Sequence, residues 1–204
     1  MPNPSHPTPP GLRPASGWIL LARHGEPALS RKIRLNADGY RDWWARYEVG
    51  GIREDQSPPS GLREMARQAD VIFASTRRRA IETAEAVLQG KQFVRDSVFI
   101  EAPLPPPPLP GFIRLNPKTW GFLSRVAWWF FGHHEGQETR REAELRARDV
   151  ARRLIDTALS GQNVLVLAHG FFNTMVGREL KRAGWRSVEG RGYRYWSTRR
   201  FVRP

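Results

Sequence analysis

A chain of 204 residues is long enough for one domain with a substantial core. It has no cysteine, which excludes disulfide scaffolds, thiol catalysis and thiolate-bound metals. Its net charge of +13 rests on arginine rather than on the few lysines, Lys32, Lys91, Lys118 and Lys181. Such a field favours anionic partners: phosphorylated metabolites, nucleic acid or an acidic membrane surface.

Residues 1–16 are rich in proline and lack the apolar core of a secretory signal, so they read as a disordered tail before a domain at 17–204. The run from Gly17 to Ala22 is short and apolar and predicts a buried strand that leads into Arg23-His24-Gly25-Glu26. Tyr40, Trp43, Trp44 and Tyr47 have helical spacing within Ala37 to Tyr47. Asp70 to Ala74 predicts a second strand, Ser75 a helix N-cap, and Arg77 to Leu88 the helix.

Ser97 to Ala102 is a candidate third strand, and it ends at the proline tract Pro103 to Pro110, which cannot join a central strand. The tract and the Trp- and Phe-rich segment Pro117 to Phe131, read as a helix, suggest an inserted lid over 104–134. The most apolar stretch, Phe122 to Phe131, contains Arg125 and is too short to span a bilayer. No transmembrane segment is expected, and a cytoplasmic location is the default reading. A long amphipathic helix is predicted from about Thr139 to Leu159, and Asn163 to Ala168 is the clearest strand, running into His169-Gly170. A helix from Phe171 to Leu180 and a last strand within Tyr193 to Phe201 complete the reading. Strands alternating with helices define an α/β layered fold.

Two histidines, each followed by glycine, therefore leave the C-terminal ends of two strands, the edge where open α/β sheets bind ligands. A third strand exit delivers Arg77, Arg78 and Arg79. Four segments carrying these residues resemble the histidine phosphatase superfamily, which includes the phosphoglycerate mutases. Arg23-His24-Gly25-Glu26 is similar to the family tetrad, and Ser75 to Ala84 (STRRRAIETA) to its arginine helix. Gly136 to Thr139 with Arg146 resembles the family's Gly-Glu-Ser segment and following arginine, and Val164 to Gly170 the approach to its second histidine.

The resemblance implies a phosphoglycerate-mutase-like three-layer α/β/α sandwich with a mostly parallel central sheet. It also implies a phosphorylated small-molecule substrate and neither cofactor nor metal. A neutral imidazole is a competent nucleophile toward phosphorus, so His24 would form a phosphohistidine. Arg23, Arg79, His169 and the helix start at Gly170 would hold the phosphoryl oxygens. Glu138 is the expected proton donor, with Glu135 and Glu101 as rivals. Where the mutases contact substrate after the first histidine, this chain has Pro27, Ala28, Leu29 and Ser30. That substitution favours a metal-independent phosphatase over a phosphomutase.

A catalytically idle, anion-binding interaction protein is the reading outside enzymes. No recognised nucleic-acid motif is present, so no nucleic acid is expected as partner. Arg77 and Arg78 read as a solvated helix start, and His133 and His134 as lid residues rather than metal ligands. Packing within the lid is the simplest role for Trp120, Phe122, Trp128, Trp129, Phe130 and Phe131. A hydrophobic substrate pocket, a membrane-contact patch or a dimer surface is the sharper alternative.

Overall fold

The structure is a computed structural model that describes residues 16–190 and 193–204. Residues 1–15, the proline-rich tail but for Ser16, lie outside the described residues. Three apolar runs form strands at the centre of one sheet: β1 (Ile19–Arg23), β2 (Val71–Ser75) and β4 (Val164–Ala168). They are apolar on both faces because helices cover both, as a parallel sheet requires. With β3 (Val94–Asp96), β5 (Arg186–Glu189) and β6 (Thr198–Val202) the strand order is β3-β2-β4-β1-β6-β5. The first four are mutually parallel, β6 runs antiparallel to β1, and β5 antiparallel to β6.

Alternate residues of each central strand feed two cores. Leu20, Ala22, Ile72, Ala74, Leu165 and Leu167 face α2 (Ser60–Gln68) and α3 (Arg78–Leu88). Ile19, Leu21, Val164 and Val166 face α5 (Arg140–Leu159) and α6 (Gly170–Arg182). The result is the three-layer α/β/α arrangement expected. Thr139 and Glu142 close a reciprocal capping box at the start of α5, satisfying two N–H groups that the first helical turn leaves unpaired.

The segment expected as an insertion does not stand alone. Its helix α4 (Pro117–Phe131) begins at Asn116, whose side chain accepts from the Lys118 and Thr119 N–H groups. It packs against α1 (Ala37–Val49) through Trp120, which joins Tyr40, Trp43 and Tyr47 in a separate aromatic core. Leu35 and Leu115 exchange two backbone hydrogen bonds of 2.9 Å, and Trp120 Nε1 donates to the Leu35 carbonyl at 2.7 Å.

Three readings of the sequence are corrected. The third strand is Val94–Asp96, while Ser97–Phe99 is a single 3₁₀ turn, because the Asp96 carboxylate accepts from Val98 N–H at 3.0 Å and bends the chain. The last strand begins only at Thr198, because Ser197 N–H turns back to the Arg194 carbonyl and Trp196 adopts φ +61°. Ser75 ends β2 and is not the N-cap of α3; that position is Arg77. Two elements carried no readable pattern: α2 is short, and the edge strand β5 is exposed along its whole length.

Candidate active site

Parallel pairing of β1 with β4 puts Arg23 opposite Ala168, and His24 N–H continues the ladder to the Ala168 carbonyl at 3.0 Å. His24 and His169 thus leave the sheet side by side. Their ring centroids are 5.2 Å apart at an interplanar angle of 64°, and both side chains are buried. His24 Nδ1 lies 2.7 Å from the Gly25 carbonyl. A carbonyl can only accept, so the proton sits on Nδ1 and Nε2 carries the free lone pair.

The neighbouring contacts fix this geometry. Gly25 N–H donates to Thr83 Oγ1 at 3.0 Å, and that hydroxyl donates to the Arg79 carbonyl at 2.6 Å. Asn173 Nδ2 donates to the Ala22 carbonyl at 3.0 Å, tying α6 to the end of β1. A Cβ on Gly25 would fall 2.4 Å from the Trp196 ring, so only glycine admits that tryptophan against the loop. Trp196 Nε1 in turn donates to Gln56 Oε1 at 2.7 Å, and Gln56 also binds both the N–H and the carbonyl of Glu26.

His169 Nε2 lies 2.9 Å from Ser75 Oγ. Because that hydroxyl accepts from the Arg77 N–H, its own hydrogen is free to go to Nε2. His169 Nδ1 is buried and unpartnered among the described residues. Four guanidiniums surround the pair. Arg79, only 1% exposed, donates to the Tyr47 carbonyl at 3.0 Å and to Glu48 Oε1 at 2.8 Å. Arg77 pairs with the other Glu48 oxygen at 2.6 Å. Arg23 donates to the Tyr193 carbonyl and lies over the Tyr195 ring at 4.5 Å, while Arg31 donates to the Tyr47 hydroxyl at 2.9 Å.

The Nε of each of these four arginines is also buried without a partner among the described residues. Buried polar groups are nearly always hydrogen-bonded, so unpaired guanidinium N–H groups near the two imidazoles fit an oxyanion as ligand. Burial first, then the charges of Arg79, Arg23 and Arg31, hold the His24 imidazole well below its usual pKa. Burial also dominates for His169, followed by Arg79, His24, Arg77 and Arg23. Both rings are accordingly neutral near pH 7.

The sequence-derived candidates divide. His24, His169, Arg23, Arg79 and Gly170 lie together, and Gly170 lets Arg23 cross the first turn of α6, since a Cβ there would be 3.1 Å from Arg23 Nε. Arg77, read as a solvated helix start, is corrected: it contributes to the field at His169 and shares Glu48 with Arg79. Arg78 does lie at the surface, on Glu82. Glu135 binds Arg41 of α1 at 2.7 Å, and His133 lies 2.9 Å from the Pro106 carbonyl.

Glu138 has both oxygens on Arg146, each at 2.7 Å, and Arg146 also donates to the Val98 and Ile100 carbonyls. Glu101 accepts from Phe171 and Phe172 N–H at 3.1 and 2.8 Å, in the helical turn that follows His169. Both carboxylates line a cavity of about 330 Å³ with Trp44, Glu48 and Arg77. A second cavity, about 660 Å³, is lined by Arg31, Lys32, Arg53, Lys118 and Tyr195. Sequence reasoning missed Glu48, Arg31 and Tyr195, which belong to no motif. Thr83 falls within the Ser75 to Ala84 segment, four residues after Arg79 and on the same helix face.

The chain belongs to the histidine phosphatase superfamily, branch 1, which it matches over residues 19–198. Among curated proteins, none matches the sequence significantly. Solved structures similar in fold include a mycobacterial glucosyl-3-phosphoglycerate phosphatase, 17% identical, with TM-score 0.52 and coverage of 82% of this chain and 80% of that one. A phosphoserine phosphatase mutant from Entamoeba histolytica, in complex with phosphoserine, is 14% identical, with TM-score 0.52 and coverage of 81% and 80%. The ecdysone phosphate phosphatase of Bombix mori, in complex with tungstate, is 15% identical, with TM-score 0.51 and coverage of 92% of both chains.

Proposed function

We propose that this protein hydrolyses a phosphomonoester through a phosphohistidine on His24. The observation that carries the reading is a neutral, tautomer-fixed imidazole beside a second buried imidazole and four unsaturated guanidiniums. His24 Nε2 attacks phosphorus, a P–N bond forms and the P–O ester bond breaks. Arg23, Arg77, Arg79 and the His169 Nδ1–H hold the non-bridging oxygens as charge redistributes, so catalysis is positioning and charge stabilisation.

The leaving oxygen takes its proton from a carboxylic acid, and Glu101 is favoured over Glu138. Both Glu138 oxygens are engaged by Arg146, whereas the Glu101 carboxylate meets the first turn of the helix that follows His169. In the second half, water attacks phosphorus, its proton passes to Glu101, the P–N bond breaks and inorganic phosphate leaves. Phosphatases of the same fold that act on other phosphomonoesters support hydrolysis, as does the Pro27 to Ser30 loop, which lacks the mutases' contact residues.

The test is hydrolysis of 4-nitrophenyl phosphate by the purified protein in the presence of a chelator. Phosphate release is expected, together with an acid-labile phosphoprotein under rapid quench, and His24→Ala should lose both. Full activity in His24→Ala would overturn the assignment. Transfer of phosphate between two hydroxyls of one substrate, without release, would instead identify a mutase.

A further inference from the structure

Helix α4 is apolar on the side that it buries and on the side that it exposes. Trp120, Ser124, Ala127 and Trp128 face inward, while Phe122 and Phe130, eight residues apart and so on one face, are 67% and 72% exposed. Phe131 is 79% exposed at the end of the helix, and Phe112, just before it, 83%. Ile33, on the strand segment bridged to this one through Leu35 and Leu115, is also exposed. Exposed phenylalanines gathered on and around one helix call for a partner.

Charge distinguishes the partners. Between Pro103 and His134 there is no Asp or Glu, although Arg114, Lys118 and Arg125 occur there. Arg114, Lys118, Lys32 and Arg34 form no ion pair among the described residues. Lys32 and Lys118 line one cavity, and the Leu35–Leu115 bridge brings Arg34 and Arg114 onto adjoining segments. A second copy of the chain would oppose cation to cation, with no carboxylate within the patch to answer it. Nucleic acid would satisfy the cations but leave most of the phenylalanines in water.

We propose that the Phe112, Phe122, Phe130 and Phe131 surface, with Arg114, Lys118, Lys32 and Arg34, docks the protein peripherally on an anionic lipid bilayer. The phenylalanines enter the boundary between headgroups and acyl chains, and the cations meet the acidic headgroups, the pairing of forces that holds interfacial helices. No helix of the described residues is long and apolar enough to cross a membrane, so the attachment is to one leaflet.

The experiment is co-sedimentation of the full chain with phosphatidylcholine vesicles, with and without about 30% phosphatidylglycerol, near physiological salt. Partitioning onto the acidic vesicles is expected to exceed that onto neutral ones by about tenfold or more. It should fall by about tenfold in Phe122→Ser/Phe130→Ser/Phe131→Ser, and again in Arg114→Glu/Lys118→Glu. All five substituted positions are exposed, and thermal unfolding of each variant checks its fold; should the serine variant not fold, the charge-reversed pair decides. Equal binding to both vesicle types, or binding that survives the substitutions, overturns the proposal. So does a dimer, or retention of RNA, that the serine substitutions abolish while vesicles are ignored.

Discussion

Arg79 is paired with Glu48 at 2.8 Å, and no other carboxylate among the described residues forms an ion pair with it. The arginine is buried, and that one carboxylate, which also holds Arg77, compensates its charge. Two competing effects meet in Glu48: it supports the folded state and it weakens the positive field around the two histidines.

Glu48→Gln separates them. Removing one partner of a buried pair leaves an uncompensated charge, at a cost of about 3–5 kcal/mol, reduced here because Glu48 keeps some solvent contact. A lower unfolding midpoint in urea is expected. Inhibition by inorganic phosphate should strengthen at the same time, because Arg77 and Arg79 are released toward the anion. Weaker inhibition together with lower stability would mean that Glu48 only positions the arginines.

The histidines set a pH dependence of stability. Their folded pKa values lie below that of an unfolded histidine, so below about pH 6.5 the unfolded chain binds more protons. Stability from the two neutral rings is complete above that pH and is lost as pH falls toward the folded values. The slope approaches about 1.4 kcal/mol per pH unit for each ring. Chemical denaturation between pH 7.5 and 5 should show it, and His24→Gln should halve it. Activity should likewise persist below pH 6.5, since His24 stays unprotonated.

Glu101 and Glu138 are separable by leaving group. If Glu101 supplies the proton, Glu101→Gln should lower kcat by about 10²–10⁴-fold on an alkyl phosphate. On 4-nitrophenyl phosphate, whose phenolate leaves unaided, a rapid burst of phenolate release should survive, while steady turnover, which needs Glu101 for the attacking water, still falls. Glu138→Gln should act mainly on the melting temperature, through the loss of its bidentate contact with Arg146. The reverse pattern would assign the acid to Glu138.

The hydroxyl of Thr83 receives the Gly25 N–H next to His24. Thr83→Val keeps the shape and removes the acceptor, which leaves a buried donor unpaired at about 1–3 kcal/mol. Stability should fall by that amount, and kcat should drop while KM changes little, since the loop that orients His24 is loosened. A change in KM alone would place Thr83 in substrate binding instead.

How much of this was legible follows from where the information lies. β1, β2 and β4 declared themselves because a strand buried on both faces must be continuously apolar, and the histidines could be placed because each directly follows such a run. β5 was silent because an exposed edge strand imposes no hydrophobic pattern. The turn at Ser97 resembled a strand by composition, and only the local bond from Val98 to Asp96 decided otherwise. Arg77 looked like a surface charge because its partner is 29 residues away on α1, beyond any periodicity. Tyr195 was invisible for the same reason: its role comes from lying over Arg23 and near His24, contacts across most of the chain.

The pairing of Arg23 with Ala168 means that the separation of the two imidazoles, 5.2 Å, is close to the spacing of neighbouring strands. The working distance of the site is thereby inherited from the backbone ladder and does not have to be tuned by the connecting segments. Lengthening or rewriting the loops between the two strands would alter what reaches the histidines while leaving their spacing in place, so the surroundings of this pair can vary without disturbing it.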